Sequence, residues 1–234
     1  LSQQQNSKAA DGGTRESERR HTILRAAIEV FASKGYHGCR IADVAKEAGV
    51  AYGLVYHYFK NKDELLETVF EAGWRGFITR VRAVALGEGT LEQKVHRIAD
   101  VAIEAYRVDP RTVKVIIVEI ARSPGGRVNR QTAFTEAIQL CTQMLTQAQE
   151  AGELLPDVDL PLAAAMFFGN IEMVFTALLM GGVGPKEPDK LERAKRQLAE
   201  FFLHGVHARD ASSEVSWKKE QEKSATRSKA PKRS

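Results

Sequence analysis

The side chains able to do covalent or metal chemistry are few and poorly grouped. The six histidines are His21, His37, His57, His96, His204 and His207. None stands in an HExxH pattern, where two imidazoles one turn apart hold zinc beside a general base. His204 and His207 are three apart and could grip a metal from one helix face, yet a hydrogen-bonded or exposed pair is the favoured reading, and no metal is expected. Cys39 and Cys141 lie about a hundred residues apart without a CxxC. That argues against a zinc cluster or a disulfide framework and for a reducing, cytoplasmic setting. A Gly-rich phosphate loop and a GxSxG elbow are both absent from the sequence. Gly181-Gly182-Val183-Gly184 precedes Pro185 and reads as a helix terminator. Neither an enzyme nor a cofactor is expected.

The informative stretch is Ile41–Lys60, IADVAKEAGVAYGLVYHYFK. A helix-turn-helix needs a small residue where its two helices meet, a residue tolerant of positive φ at the turn, and an apolar anchor on the second helix. Ala45, Gly49 and Val55 supply these at separations of four and six, with Ile41, Val44, Val50 and Tyr58 available for the shared core. Gly49 carries no Cβ penalty in the left-handed conformation that such turns use. Spacing alone still allows an ordinary helical hairpin within a bundle.

Charge is unevenly placed. Residues 18–62 carry eight basic and four acidic side chains, residues 63–207 sixteen and twenty, and residues 208–234 eight and four. A basic module joined to an acidic body suits a protein that seeks phosphates.

The elements that must position these residues read as helices throughout, so the fold class is all-α with about nine helices. Ile23, Ala27 and Phe31 recur at four-residue spacing with Leu24 and Ile28 beside them, giving one apolar face that ends at Gly35. Two short helices precede Lys60. Asn61 and Glu64 then form a capping pair opening a long helix to about Leu86. Later helices are expected over Thr90–Val108, Pro110–Arg122, Val128–Gly152, Leu160–Met180 and Pro188–His207. Val113–Ile120 is β-branched but has no partner strand. Leu162–Met180 is long enough to tempt a membrane assignment, but Asn170, Glu172 and Thr176 interrupt it, so a buried or interface helix is expected. The polar first seventeen residues hold no signal peptide. The expected division is a disordered leader over 1–16, a helix-turn-helix domain over 17–62, a ligand-binding and dimerisation bundle over 63–207, and a disordered basic tail over 208–234.

The run GYHGCRIADVAKEAGVAYGLVYHYFKNKDELL resembles the DNA-binding segment of the TetR family of transcriptional regulators, and the resemblance is close over Glu18–Leu66. The shared features are Gly-Tyr closing helix 1, Ile-x-Asp-Val-Ala on helix 2, Ala-Gly-Val at the turn, and Tyr-Phe-Lys-Asn-Lys-Asp-Glu-Leu leading into helix 4. The resemblance implies a ligand-responsive repressor that binds a palindromic operator as a homodimer, with helix 3 in the major groove. Tyr52 and Gly53 fall where relatives meet base edges. Tyr56, His57, Tyr58, Lys62 and Arg40 resemble positions that meet phosphates or bases. Hydroxyl residues that cap helices 2 and 3 in many relatives are missing at Cys39–Arg40 and at Ala51, which removes possible phosphate donors.

The resemblance also assigns the acidic bundle an effector pocket, for which Trp74, Phe77, Ile116, Phe134, Met144 and Phe168 are the apolar candidates. Glu150-Ala-Gly-Glu-Leu and FFGNIEMVFTALLMGG look like the acyl-CoA-responsive repressors of fatty-acid degradation, and Arg122, Arg127 and Arg130 could attract a CoA phosphate. Drugs, flavonoids and quorum signals are the alternative effectors. Dimerisation is expected through Phe167, Ile171, Phe175 and Leu178 of the eighth helix and Leu191, Ala194, Leu198 and Phe201 of the ninth. A different-class alternative is a non-specific nucleic-acid-binding or scaffold protein driven by the basic tail.

Overall fold

The computed structural model describes the backbone of residues 2–119 and 126–206, with side chains for 15–118 and 131–205. The described residues form nine helices and no strand. They are α1 (Ser2–Lys34), α2 (Ile41–Glu47), α3 (Tyr52–Tyr58), α4 (Lys62–Ala85), α5 (Leu91–Val108), α6, α7 (Gly126–Glu150), α8 (Leu160–Met180) and α9 (Pro188–Val206). Helix α6 is α-helical over Pro110–Lys114 and continues as a π-turn over Val115–Glu119. Helix α1 starts at Ser2, through the stretch expected to be a disordered leader. Glutamines, alanines and lysine there are compatible with a helix already nucleated by the apolar face downstream. The expected end of α6 near Arg122, the basic tail over 208–234 and His207 lie outside the described residues.

Local chemistry sets most boundaries. The Asn61 side chain accepts from the Glu64 amide at 2.8 Å, and Glu64 Oε2 accepts from the Lys60 amide at 2.6 Å. One orphan amide at the head of α4 and the amide just before its cap are thereby satisfied. Thr90 caps α5, Asp109 caps α6 and Asp159 caps α8. Four consecutive β-branched residues, Val115–Val118, crowd the turn where α6 loosens from α to π geometry.

Two cores result. The smaller joins α1–α3 to the first half of α4 around Ile23, Phe31, Val44, Val55, Phe59 and Leu65. The larger joins the rest of α4 to α5 and α7–α9 around Ile98, Met144, Leu145, Phe167 and Leu198. Helix α6 lies on the seam, with Val115 in the smaller core and Val113 in the larger. Helix α8 is long and apolar enough to cross a membrane by length alone, yet Ala163, Ala164, Phe167, Phe168, Ile171, Phe175 and Leu178 are buried against its neighbours. Both cysteines are free and buried, and burial pushes the Cys141 thiol up to about 12.

Candidate nucleic-acid interface and effector cavity

The turn between α2 and α3 is built as its residue types require. Gly49 adopts φ 65°, the Val50 amide bonds back to the Ala45 carbonyl at 3.0 Å, and the Gly49 amide to Lys46 at 3.2 Å. This double bond pattern closes a helix and satisfies two of its terminal carbonyls. Ala45 and Val55 are buried at the α2–α3 contact, which aims the opposite side of α3 at solvent.

That outward side carries Tyr52, Gly53, Tyr56 and His57, all exposed. The Tyr52 and Tyr56 rings meet edge-on at 5.2 Å, and the Tyr52 hydroxyl donates to that of Tyr56 at 3.2 Å. The hydrogen bond between the two hydroxyls, with some desolvation, raises the Tyr56 phenol above its ordinary value. Gly53 has ordinary helical φ, and a Cβ built there meets nothing within 4 Å. Its own fold therefore does not ask for glycine. Arg40 is exposed at the head of α2, where its amide donates to Asp43 Oδ2 at 2.8 Å. The hydroxyl caps missing from the sequence are missing here too, since neither Arg40 nor Ala51 makes a side-chain cap bond.

Two expected contact residues sit differently. Tyr58 is half-buried and packs on the smaller core, with the His57 ring edge-on to it at 5.1 Å. The Lys62 ammonium donates to the carbonyls of Tyr36 at 2.6 Å and Cys39 at 3.1 Å, and lies 4.2 Å from the Tyr36 ring centroid. The Tyr36 hydroxyl in turn donates to Asp63. Lys62 thus ties the α1–α2 loop to α4 and keeps one of its three N–H groups for anything else. Sequence reasoning missed Arg20, whose guanidinium lies 5.3 Å from the Phe59 ring centroid beside the end of α3.

In the larger core an aromatic-walled cleft with a cavity of ≈ 140 Å³ opens between α4 and α8. Trp74, Phe77, Ile116, Phe134 and Phe168 line it, as expected for an effector pocket. Trp74 stacks on Phe70 at 5.9 Å and meets Phe168 edge-on at 5.9 Å. Glu136 accepts from Trp74 Nε1 at 3.3 Å and from Arg82 at 2.7 Å, so the indole plane is fixed from behind. Asp109, Thr112 and Glu172 supply the polar lining, with Asp109 Oδ2 accepting from the Thr112 hydroxyl at 2.6 Å. Met144 is a correction: it is fully buried in the larger core and does not line the cleft. Arg122 and the side chains of Arg127 and Arg130 lie outside the described residues.

The residues expected at a dimer face divide between the chain's own core and an open groove. Phe167, Ile171, Phe175, Leu178, Leu191 and Leu198 are buried within their own chain, and Ile171 and Phe175 line the cleft. Ala194 is half-buried, and Phe201 alone of the eight is exposed. Leu178, Ala194, Leu198 and Phe201 line, with Leu162, Met166 and Met173, an open apolar groove between α8 and α9. Because α8 is apolar on nearly every side, periodicity could not tell its inner face from its outer one.

Residues 23–69 match the family model for bacterial regulatory proteins of the tetR family. The regulator BetI of Escherichia coli is 31% identical over 152 residues, 58% of this chain and 76% of that protein. The chain belongs to the TetR family. A further TetR-type likeness is to the fatty acid metabolism regulator protein of Bacillus subtilis, 27% identical over 189 residues, 79% of this chain and 94% of that protein. The crystal structure of the transcriptional regulator FadR from Bacillus subtilis in complex with stearoyl-CoA superposes with a TM-score of 0.70 at 28% identity, covering 80% of this chain and 99% of that one. These relatives are transcriptional regulators, and the outward side of α3 is the helix-turn-helix face of such a protein.

Proposed function

We propose that the chain is a repressor that binds an inverted-repeat operator as a homodimer and is released by an apolar effector in the aromatic cleft. One observation carries this reading: α4 is a single helix that begins at the reading head and runs through the cleft wall before continuing to Ala85. Asn61 and Lys62 open it beside α2 and α3, and Trp74 and Phe77 line the cleft about three to four turns later. An effector that displaces the cleft-lining middle of α4 rotates the head. Two heads must match grooves about one DNA turn, ~34–36 Å, apart, so a modest displacement lowers operator affinity steeply.

In this reading Tyr52 and Gly53 approach base edges. Tyr56, His57 and Arg40 contact phosphates or bases, and Tyr58 and the remaining N–H of Lys62 lie at the margin. The reading head takes residues 17–62, the effector and dimerisation bundle 63–207. Dimerisation uses the groove of Leu162, Met166, Met173 and Phe201, whose exposed apolar surface gains by burial. The likeness to regulators of fatty-acid metabolism, and the stearoyl-CoA in one of them, favour a long-chain acyl-CoA as effector. Its chain suits the aromatic wall, and Arg122, Arg127 and Arg130 would be its phosphate partners. The protein acts in the cytoplasm, where its DNA is, and needs no metal or cofactor.

The test is selection of duplexes from a random pool, followed by titration with stearoyl-CoA and mass spectrometry of whatever co-purifies. A recovered palindrome and release of the duplex by stearoyl-CoA support the reading. Recovery of no preferred sequence refutes the operator. Deleting residues 208–234 separates it from the non-specific alternative: discrimination should survive and only non-specific affinity fall.

A further inference from the structure

Helix α4 is not the only bridge between the cleft and the reading head. Helix α6 touches both, with opposite sides. Thr112, Val113, Ile116 and Ile117 line the cleft. Val115, one residue from both Lys114 and Ile116, is fully buried in the smaller core. On the outer side two cations reach across to α1. Arg111 pairs with Glu29 at 2.7 Å, and the Lys114 ammonium donates to the Ala32 carbonyl at 2.6 Å. Ala32 lies in the last turn of α1, where carbonyls have no partner within the helix and the helix dipole favours a cation. Lys114 therefore supplies a bond that α1 lacks. Packing on the inner side is equally tight: a Cβ added at Gly73 of α4 would stand 2.7 Å from Ile116 Cδ1 and 3.0 Å from Thr112 Cγ2. The π-turn that follows Lys114 is the compliant part of the element.

We propose that Arg111 and Lys114 form a latch on α1 that positions the reading head from α6, giving the cleft a second route to DNA besides α4. An effector pressing on Ile116 or Thr112 moves the turn that carries both cations, and the end of α1 moves with them or loses them. The inference rests on the operator-binding function proposed above. By linkage, if α6 senses the state of the head, then DNA must alter α6 even without effector.

The experiment is hydrogen–deuterium exchange on the full chain, with and without a duplex recovered by selection. It compares wild type, Lys114→Met, the single reversals Glu29→Arg and Arg111→Glu, and the two reversals combined. Arg111 and Glu29 are 63% and 42% exposed, so the reversals leave the cores intact. In wild type the duplex should slow exchange over 110–119 about tenfold. That response should fall below about twofold in Lys114→Met and in each single reversal, and return in the double reversal. Protection over 52–58 should be alike in all. A wild-type chain whose 110–119 segment ignores DNA, or single reversals that respond as wild type does, would overturn the latch. Absence of protection over 52–58 in wild type would instead overturn the DNA reading, and the latch with it.

Discussion

Gly53 is the second residue of a seven-residue helix, where a glycine weakens the element and nothing in the chain occupies the space a Cβ would take. On the proposed reading the glycine serves close approach to DNA. Gly53→Ala should raise thermal stability slightly, by about 0.5 kcal/mol, while weakening binding to a selected duplex at least tenfold. Unchanged DNA affinity would remove Gly53 from the interface. Gly49 makes the opposite case, since its φ of 65° is a demand of the turn itself. Gly49→Ala should cost about 1–2 kcal/mol in unfolding experiments. The sequence makes Gly49, Val55 and the tyrosines legible because motif spacing encodes backbone geometry. Lys62 was less legible, because which oxygens an ammonium finds depends on how the Tyr36–Cys39 loop folds over it. Lys62→Ala should therefore lower folding stability by about 1–2 kcal/mol, and any phosphate contact it makes would show as a salt slope smaller by about one unit. An undiminished melting temperature would contradict the structural tie.

At the scale of elements, caps and periodicity announce the helices, and Asn61–Glu64 fixes the start of α4 as its residue types suggest. The roles of helix faces are harder to see. Phe167 and Phe168 are adjacent in α8 and both buried, one packed on Phe202 of α9 and the other facing the cleft. In a helix apolar all round, hydrophobicity cannot say which side a neighbour covers. Met144 and Trp74 show the consequence. Met144→Ala should cost about 2–5 kcal/mol of stability with little change in effector affinity, because it opens a void in the core away from the cleft. Trp74→Ala should lower stearoyl-CoA affinity at least tenfold at a smaller cost in stability, its ring being half-buried at the cleft wall. Calorimetric unfolding beside ligand titration separates the two. If both variants behave alike, the cleft is not the effector site.

On the scale of the whole molecule, a basic head is carried by an acidic body. In the proposed dimer two bodies joined through α8 and α9 would hold two heads at a fixed separation. Phe201 is 72% and Met173 65% exposed, so Phe201→Asp or Met173→Asp places a charge on the groove without disturbing either core. Each should shift the protein to monomer in sedimentation and weaken operator binding far more than non-specific binding. A variant that remains dimeric would move the interface elsewhere. Release by effector then follows from spacing: a ligand that favours the displaced heads by about 1.4 kcal/mol costs tenfold in operator affinity. Because that coupling is reciprocal, the most direct measurement is stearoyl-CoA affinity for the free protein and for the protein saturated with its selected duplex. DNA should weaken stearoyl-CoA binding by the same factor, tenfold or more, by which stearoyl-CoA weakens DNA binding. Equal affinity for the free and DNA-bound protein would contradict this coupling.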